Sequence, residues 1–513
     1  MVCVIGCDIG TSGTKALVVR EDGKILASAF AEYPMSIPKP GWAEQNPDLW
    51  VRAAYSTIAQ AVRKAKVKPA EVKALGFSGQ MHSSVFLDAR GKVIRPALLW
   101  CDTRTTEECA IITKKAGGEG AMRRLVANPA LEGFTLPKVL WLKRHEPKNY
   151  AKVHSVLLPK DYVRFRLTGE QLTEVTDAAG TLAYDVVRRR WSEELLRKVG
   201  IPAEWFPPVR ESLEPCGSLT PRAAKALGLA PGTPVVGGGA DNPCGAVGCG
   251  VLGPGDVLAS VGTSGVVFAP TARPAVDPAL RAHTFCHAVP NTWYLMGVML
   301  SAGFALRWYR DVLGETEKTS AEKSGRDAYD VLAESAEKAP IGCEGLTFLP
   351  YLMGERTPHR DASVRAAFVG ASARHGRDHF TRAVFEGITY GLNDSLEILR
   401  SLRVPIRRIV ATGGGAKSKF WIQMMADVFG AEVVTVAGGE GPAFGAAILA
   451  LVGAGRYHGV PQAAKALVRV TGKWRPSAKA HRSYREGFGR YRSLYPALKA
   501  HFHDTAQALA RKG

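Results

Sequence analysis

Short apolar runs and longer amphipathic stretches alternate along most of this 513-residue chain. Residues 2–5 and 16–19 are β-rich runs joined by a glycine-containing link, which predicts a hairpin. Residues 257–261 and 266–269 repeat that arrangement. Asn46-Pro47 reads as a helix cap followed by proline at the first helical position, and 49–66 carries helical periodicity. Residues 72–77 predict a strand running into the polar turn Ser78-Gly79-Gln80-Met81-His82. Residues 234–236 predict another, running into Gly237-Gly238-Gly239-Ala240-Asp241. Asn242-Pro243 again has the form of a cap and helix start, which puts Asp241 at a strand end just before a helix.

The second half has the same grammar. A long amphipathic helix is predicted over 380–402, a strand over 408–412, a turn at Gly413-Gly414-Gly415, a helix over 418–430 and a strand over 432–436. Residues 441–453 offer a small-residue helix able to pack closely on a neighbour. Strands alternating with helices define an α/β protein. The Gly/Pro-rich segment 251–255 marks the expected boundary, giving domains 1–252 and 253–513.

Composition narrows the class. The hydrophobic fraction of 46% and charged fraction of 22% are those of an ordinary globular protein. There is no run of eighteen apolar residues, and the N-terminus enters a strand at once, so a cytoplasmic protein without a membrane partner is expected. Nine irregularly spaced cysteines form neither a disulfide framework nor a Cys-x-x-Cys zinc pair. His283-Thr284-Phe285-Cys286-His287 lacks a second ligand group of recognisable spacing and reads as a packed polar segment. The net charge of +20 raises nucleic-acid binding as a class. Half of that excess lies in residues 461–513, where aromatic residues recur near helical spacing, so a solvated face on an anchored helix is the expectation.

The candidate chemistry centres on a duplicated tetrapeptide. Gly10-Thr11-Ser12-Gly13 and Gly262-Thr263-Ser264-Gly265 each occupy a predicted hairpin turn. Glycines let backbone N–H groups approach an anion, and the Thr and Ser hydroxyls add donors, so each copy reads as a phosphate loop. Two copies suggest homologous halves facing one ligand. Asp8 stands two residues before the first loop and Ser260 occupies the matching place before the second. A carboxylate on one side suits a single Mg²⁺, held directly or through water. No GxxxxGK[ST] motif occurs, and the GxGxxG at 248–253 is followed by Pro254 where a dinucleotide fingerprint needs a helix.

On these segments, with Gly6-Cys7-Asp8-Ile9-Gly10-Thr11-Ser12-Gly13-Thr14-Lys15, Gly413-Gly414-Gly415-Ala416, Thr176-Asp177-Ala178-Ala179-Gly180-Thr181 and Gly354-Glu355-Arg356-Thr357-Pro358-His359, the chain resembles the FGGY carbohydrate kinases. The resemblance spans roughly residues 2 to 450. It implies two actin/hexokinase-like (ribonuclease H-like) ATPase domains with a central cleft, and domain closure about 251–255. It implies ATP and Mg²⁺ as cofactors and a small-molecule sugar as partner, a homodimer being left open. The implied reaction is phosphorylation of a ketose, D-xylulose ahead of gluconate, ribulose or another polyol, with a non-metabolic actin-like ATPase as the remote alternative. Asp241 corresponds to the general base, Met81 and His82 to the ketose-contacting pair, and Gln80 and Asn242 to further sugar contacts. Gly10, Thr11, Ser12, Lys15, Gly262 and Thr263 correspond to phosphate contacts, Gly414, Gly415 and Ser418 to contacts with adenosine and ribose, and Asp8 to the metal side. Taken alone, a His after a strand reads as a hydrogen-bonded structural group. The helix N-terminus is expected to keep Asp241 ionised near neutral pH.

Overall fold

The computed structural model describes residues 1–437 and 441–510, and the chain divides into two compact units. The first holds residues 1–252, 271–294 and 441–469; the second holds 253–270, 295–437 and 470–510. This departs from the single cut expected at 252/253, because two later segments return to the first unit.

The four strands predicted in the first unit form one sheet together with three that were not, in the order Pro215–Ser218, Pro234–Val236, Val72–Gly79, Cys3–Ile9, Gly13–Arg20, Ile25–Glu32, with Gly239–Ala240 also pairing with Val72–Gly79. Cys3–Ile9 runs antiparallel to Gly13–Arg20 and parallel to Val72–Gly79. Helix Pro47–Ala65 begins as expected, with Asn46 Oδ1 accepting the Asp48 N–H, and buries Trp50, Ala54, Ile58 and Ala61 in the core on one face. The other face receives the small-residue helix Gly441–Gly453. That packing requires glycine in the sheet: a Cβ on Gly6 would lie 2.0 Å from the Ala443 carbonyl oxygen, and one on Gly76 2.2 Å from that of Ala446. Helix periodicity shows that 441–453 packs closely on something; the sheet it packs on is set by the tertiary fold.

In the second unit the strand order runs from Trp293–Met299 through Gly265–Thr271, Gly255–Val261, Ile406–Gly413 and Glu432–Val436 to Val470–Trp474. Helix Arg377–Ser401 is buried along most of its length. The basic C-terminal helix Ala478–Ala510 is anchored as its aromatic spacing suggests. Tyr484 accepts from Arg382 Nη2 at 2.6 Å, Tyr491 and Tyr351 share a hydroxyl–hydroxyl bond of 2.7 Å, and Tyr495 stacks on His359 at 3.6 Å, while Arg482, Arg485, Arg490 and Arg492 face water. Among the described residues, no helix is long and apolar enough to cross a membrane.

Candidate functional site

Both tetrapeptides occupy hairpin turns, as their flanks predict. The first joins Cys3–Ile9 to Gly13–Arg20 and closes with Gly10 N–H on the Gly13 carbonyl at 3.0 Å. The second joins Gly255–Val261 to Gly265–Thr271 and closes one residue shorter, with Gly262 N–H on the Ser264 carbonyl at 3.0 Å.

The first loop is held by side chains around it. Tyr33 OH donates to the Gly10 carbonyl at 2.6 Å, Gln45 Nε2 to the Thr11 carbonyl at 2.7 Å, and Trp100 Nε1 to Thr11 Oγ1 at 2.8 Å. Gln80 Nε2 donates to the Gly10 carbonyl at 3.3 Å, and its Oε1 accepts from Ser83 Oγ at 3.1 Å. Gln80 is 2% exposed and its amide is occupied by the loop and its supports. Where a sugar contact is expected, the Gln80 side chain braces the first hairpin turn. Trp100, 41% exposed, is a residue that sequence reasoning missed; only its bond to the first hairpin turn, 89 residues away, marks it.

Asp8 sits in the sheet opposite Lys15 on one side and Ser78 on the other. Its Oδ1 is buried without a hydrogen-bond partner among the described residues. Burial pushes its carboxyl up to about 6 against the lowering influence of Ser78 and Lys15. An unpartnered, buried carboxylate oxygen is a hard donor of the kind Mg²⁺ takes, so the residue fits the metal implied by the motif. Among the described residues there is no cluster of three or more His, Cys, Asp or Glu arranged for a metal. A cation at Asp8 would complete its shell with water and phosphate oxygens, as Mg²⁺ commonly does.

Asp241 is the first residue of helix Asp241–Gly248. Ala240 occupies the cap position, so Asn242 is not the cap the sequence suggested. Instead Asn242 holds the carboxylate: its backbone N–H reaches Asp241 Oδ1 at 2.7 Å and its Nδ2 the same oxygen at 2.9 Å, while Nδ2 also approaches Met81 Sδ at 3.8 Å. The expectation that the helix end keeps Asp241 fully ionised is likewise corrected. Burial first, then the negative charge of Asp8, raise its carboxyl to about 7, outweighing the hydrogen bonds from Asn242. Two carboxylates close enough to couple cannot both ionise cheaply without a cation.

Met81 and His82 leave the strand in a tight turn, with Ser83 N–H on the Met81 carbonyl at 2.7 Å and His82 at φ 68°. The turn breaks the strand's side-chain alternation. Left-handed backbone is uncommon for a non-glycine residue and clusters at functional sites. His82 Nδ1 lies 2.5 Å from the Gly180 carbonyl, which only accepts, so this nitrogen carries a proton. Phe134 packs on the same imidazole at 4.9 Å between centroids. His283 and His287 serve as packed polar groups, meeting Asn128 Oδ1 at 3.2 Å and the Val251 carbonyl at 3.1 Å.

The second loop borders a cavity of about 470 Å³ within the second unit. Gly262, Thr263, Gly414, Gly415 and Ser418 all line it, as do Gly303 and Arg307 at the start of helix Gly303–Val312. The helix binds the loop by its backbone, with Gly303 N–H on the Gly262 carbonyl at 2.8 Å and Phe304 N–H on that of Thr263 at 3.0 Å. Ser418 Oγ caps helix Lys419–Phe429 by accepting the Trp421 N–H at 3.3 Å.

Two phosphate-type hairpins at matched places in two sheets, one beside coupled carboxylates and one on a nucleotide-sized cavity, define a sugar-kinase architecture. The chain belongs to the FGGY family of carbohydrate kinases: residues 3–248 match the family's N-terminal domain and 257–454 its C-terminal domain. It is 40% identical to a xylulose kinase of Bacillus subtilis (strain 168) over 97% of this chain and 98% of that protein. Among solved structures, a xylulose kinase from Rhodospirillum rubrum matches at 31% identity with a TM-score of 0.90, covering 98% of this chain and all of the other. A gluconate kinase from Lactobacillus acidophilus matches at 28% identity with a TM-score of 0.91, covering 98% and 99%.

Proposed function

We propose that the protein transfers the γ-phosphoryl group of ATP to the terminal hydroxyl of D-xylulose, giving D-xylulose 5-phosphate and ADP. The observation that carries the acceptor is the full-length likeness to proteins named xylulose kinase, at 40% identity over 97% of the chain. Within that reading, Met81 and His82 contact the ketose, and Asn242 aims the Asp241 carboxylate. Asp241 takes the proton of the terminal hydroxyl as the oxygen attacks phosphorus. Phosphoryl transfer passes through a loose transition state, so positioning and charge neutralisation outweigh covalent help, and a carboxylate that accepts its proton late is adequate.

The backbone N–H groups and hydroxyls of Thr11, Ser12 and Thr263 bind phosphate oxygens, while Gly10 and Gly262, whose own N–H groups close the turns, let the phosphates approach the backbone, and Lys15 adds positive charge beside Asp8. Gly414, Gly415 and Ser418 seat the adenosine. Asp8 would hold Mg²⁺, which would supply neutralisation of the phosphate charge. Asp241 titrates near 7 in the free protein, so its basic form gains as pH rises through that value.

A coupled ADP-release assay over D-xylulose, D-ribulose, D-gluconate and glycerol tests the acceptor. D-xylulose is expected to give the highest kcat/KM. A higher value for D-gluconate would transfer the assignment to the acceptor named for the Lactobacillus acidophilus structure.

A further inference from the structure

The short helix Val175–Ala179 touches both halves of the acceptor site. At its start, Thr176 Oγ1 accepts the N–H of Ala240, the residue just before Asp241, at 2.8 Å. At its end, the Gly180 carbonyl accepts from His82 Nδ1 at 2.5 Å. Glu174 caps the helix, taking the Thr176 hydroxyl at 2.7 Å on Oε1 and the Thr176 N–H at 2.8 Å on Oε2, where Ser212 Oγ also donates at 3.0 Å.

Behind this helix lies a fully buried group of charges. Lys160 Nζ lies 2.7 Å from Asp161, 3.2 Å from Glu174 and 2.8 Å from Asp177. Arg164 pairs with Asp161 at 3.0 Å and donates to the Gly237 carbonyl at 3.0 Å, on the same approach to Asp241. Burial raises Asp177 well above the usual carboxylate range, more than Lys160 lowers it. With that proton bound, two cations face two anions. A buried ion cluster contributes little net stability compared with a well-packed apolar core, so its contribution here lies in fixing geometry.

We propose that Thr176, backed by Glu174 and Lys160, is a positioning residue that sets the backbone of Asp241 while the same helix sets the ring of His82. The base and the sugar contact are thereby held as one rigid piece. This rests on the reading of Asp241 as general base. Neither Lys160 nor Thr176 touches the reacting atoms.

Thr176→Val keeps the volume and removes both hydroxyl bonds; Thr176→Ser keeps both. Misplacing a catalytic group by a fraction of an ångström to an ångström costs about 10- to 100-fold, so Thr176→Val should lower kcat for D-xylulose by that factor. It should also raise the sugar KM while leaving the ATP KM unchanged, and Thr176→Ser should restore both parameters. In an Asp241→Asn background the kcat decrement should vanish, because coupled residues are not additive. Partial unfolding would lower kcat alone and persist in both backgrounds. Should Thr176→Val fail to fold, Ser212→Ala, which removes the outer bond to Glu174, should show the same pattern more weakly. Thr176→Val with wild-type kcat and sugar KM, beside an inactive Asp241→Asn, would overturn the positioning role alone. A fully active Asp241→Asn would overturn the base assignment and this proposal with it.

Discussion

The two Gly-Thr-Ser-Gly hairpins carry the same four residues in different electrostatic settings. At the matched position before each turn, Asp8 faces Lys15 and Ser78, whereas Ser260 faces Val266 and Thr412. The first loop is braced by four side chains, Tyr33, Gln45, Gln80 and Trp100, from four separate segments. The second is braced by the backbone of a helix N-terminus and opens on a cavity of about 470 Å³. The same loop sequence thus stands in two settings, and in the proposed function its neighbours decide whether charge chemistry or nucleotide seating is done beside it. Damage to the first region should appear mainly in kcat, and damage to the second mainly in the ATP KM.

The largest expected loss follows Asp241→Asn. General-base help is typically worth about 10²–10⁴-fold, so kcat should fall within that range while D-xylulose binding, followed by calorimetry, is retained. Asp8→Asn should come next, lowering kcat by about 10²-fold, the scale of removing one electrostatic contact to a developing charge. Its Mg²⁺ dependence should flatten, as followed by metal titration. In the second region, Gly303→Ala would place a Cβ 2.3 Å from the Gly262 carbonyl oxygen. Such overpacking costs about 1–3 kcal/mol, and here it should raise the ATP KM about tenfold with little change in kcat. Ser260→Ala should leave both parameters within about twofold, as surface and part-buried changes away from charge usually do.

A stability measurement sharpens the contrast. The raised carboxyls of Asp241 (about 7) and Asp8 (about 6) bind protons more tightly folded than unfolded. Their contribution is therefore fully present below the unfolded carboxyl value of about 4 and is lost progressively as pH rises from there through 6 to 7. Without nucleotide or metal, Asp241→Asn should then be more heat-stable than the wild type at pH 8, with the difference shrinking steadily towards pH 5. Differential scanning calorimetry at the two pH values reads this directly; Ser260→Ala should show no such pH-dependent difference.

Much of this was legible in the chain. The hairpins, the Asn46 cap and the aromatic anchors of the last helix follow from local pattern, because turn chemistry and helical spacing are properties of neighbouring residues; Gly414, Gly415 and Ser418, which line the second unit's cavity, are singled out by the family resemblance. What escaped reading depends on distant ones. Gln80 sits in the polar turn with Met81 and His82, yet its amide turns inward to a loop seventy residues back. Asn242-Pro243 has the form of a cap, but Asp241 one residue earlier already takes the helical conformation and draws the Asn242 donors to itself. Helix-end logic predicted an ionised Asp241; burial, and after it the negative charge of Asp8, 233 residues earlier in the chain, push its carboxyl up instead. The contacts of Lys160 with Glu174 and Asp177, 14 and 17 residues further on, are likewise set by the tertiary fold.

The account as a whole stands on one transfer, from ATP to the terminal hydroxyl of D-xylulose. Phosphorus and carbon NMR of the reaction mixture follow both halves of it at once. The account predicts one D-xylulose 5-phosphate for each ADP, with no ADP formed beyond that equivalence. ADP accompanied by inorganic phosphate and unmodified sugar would contradict it.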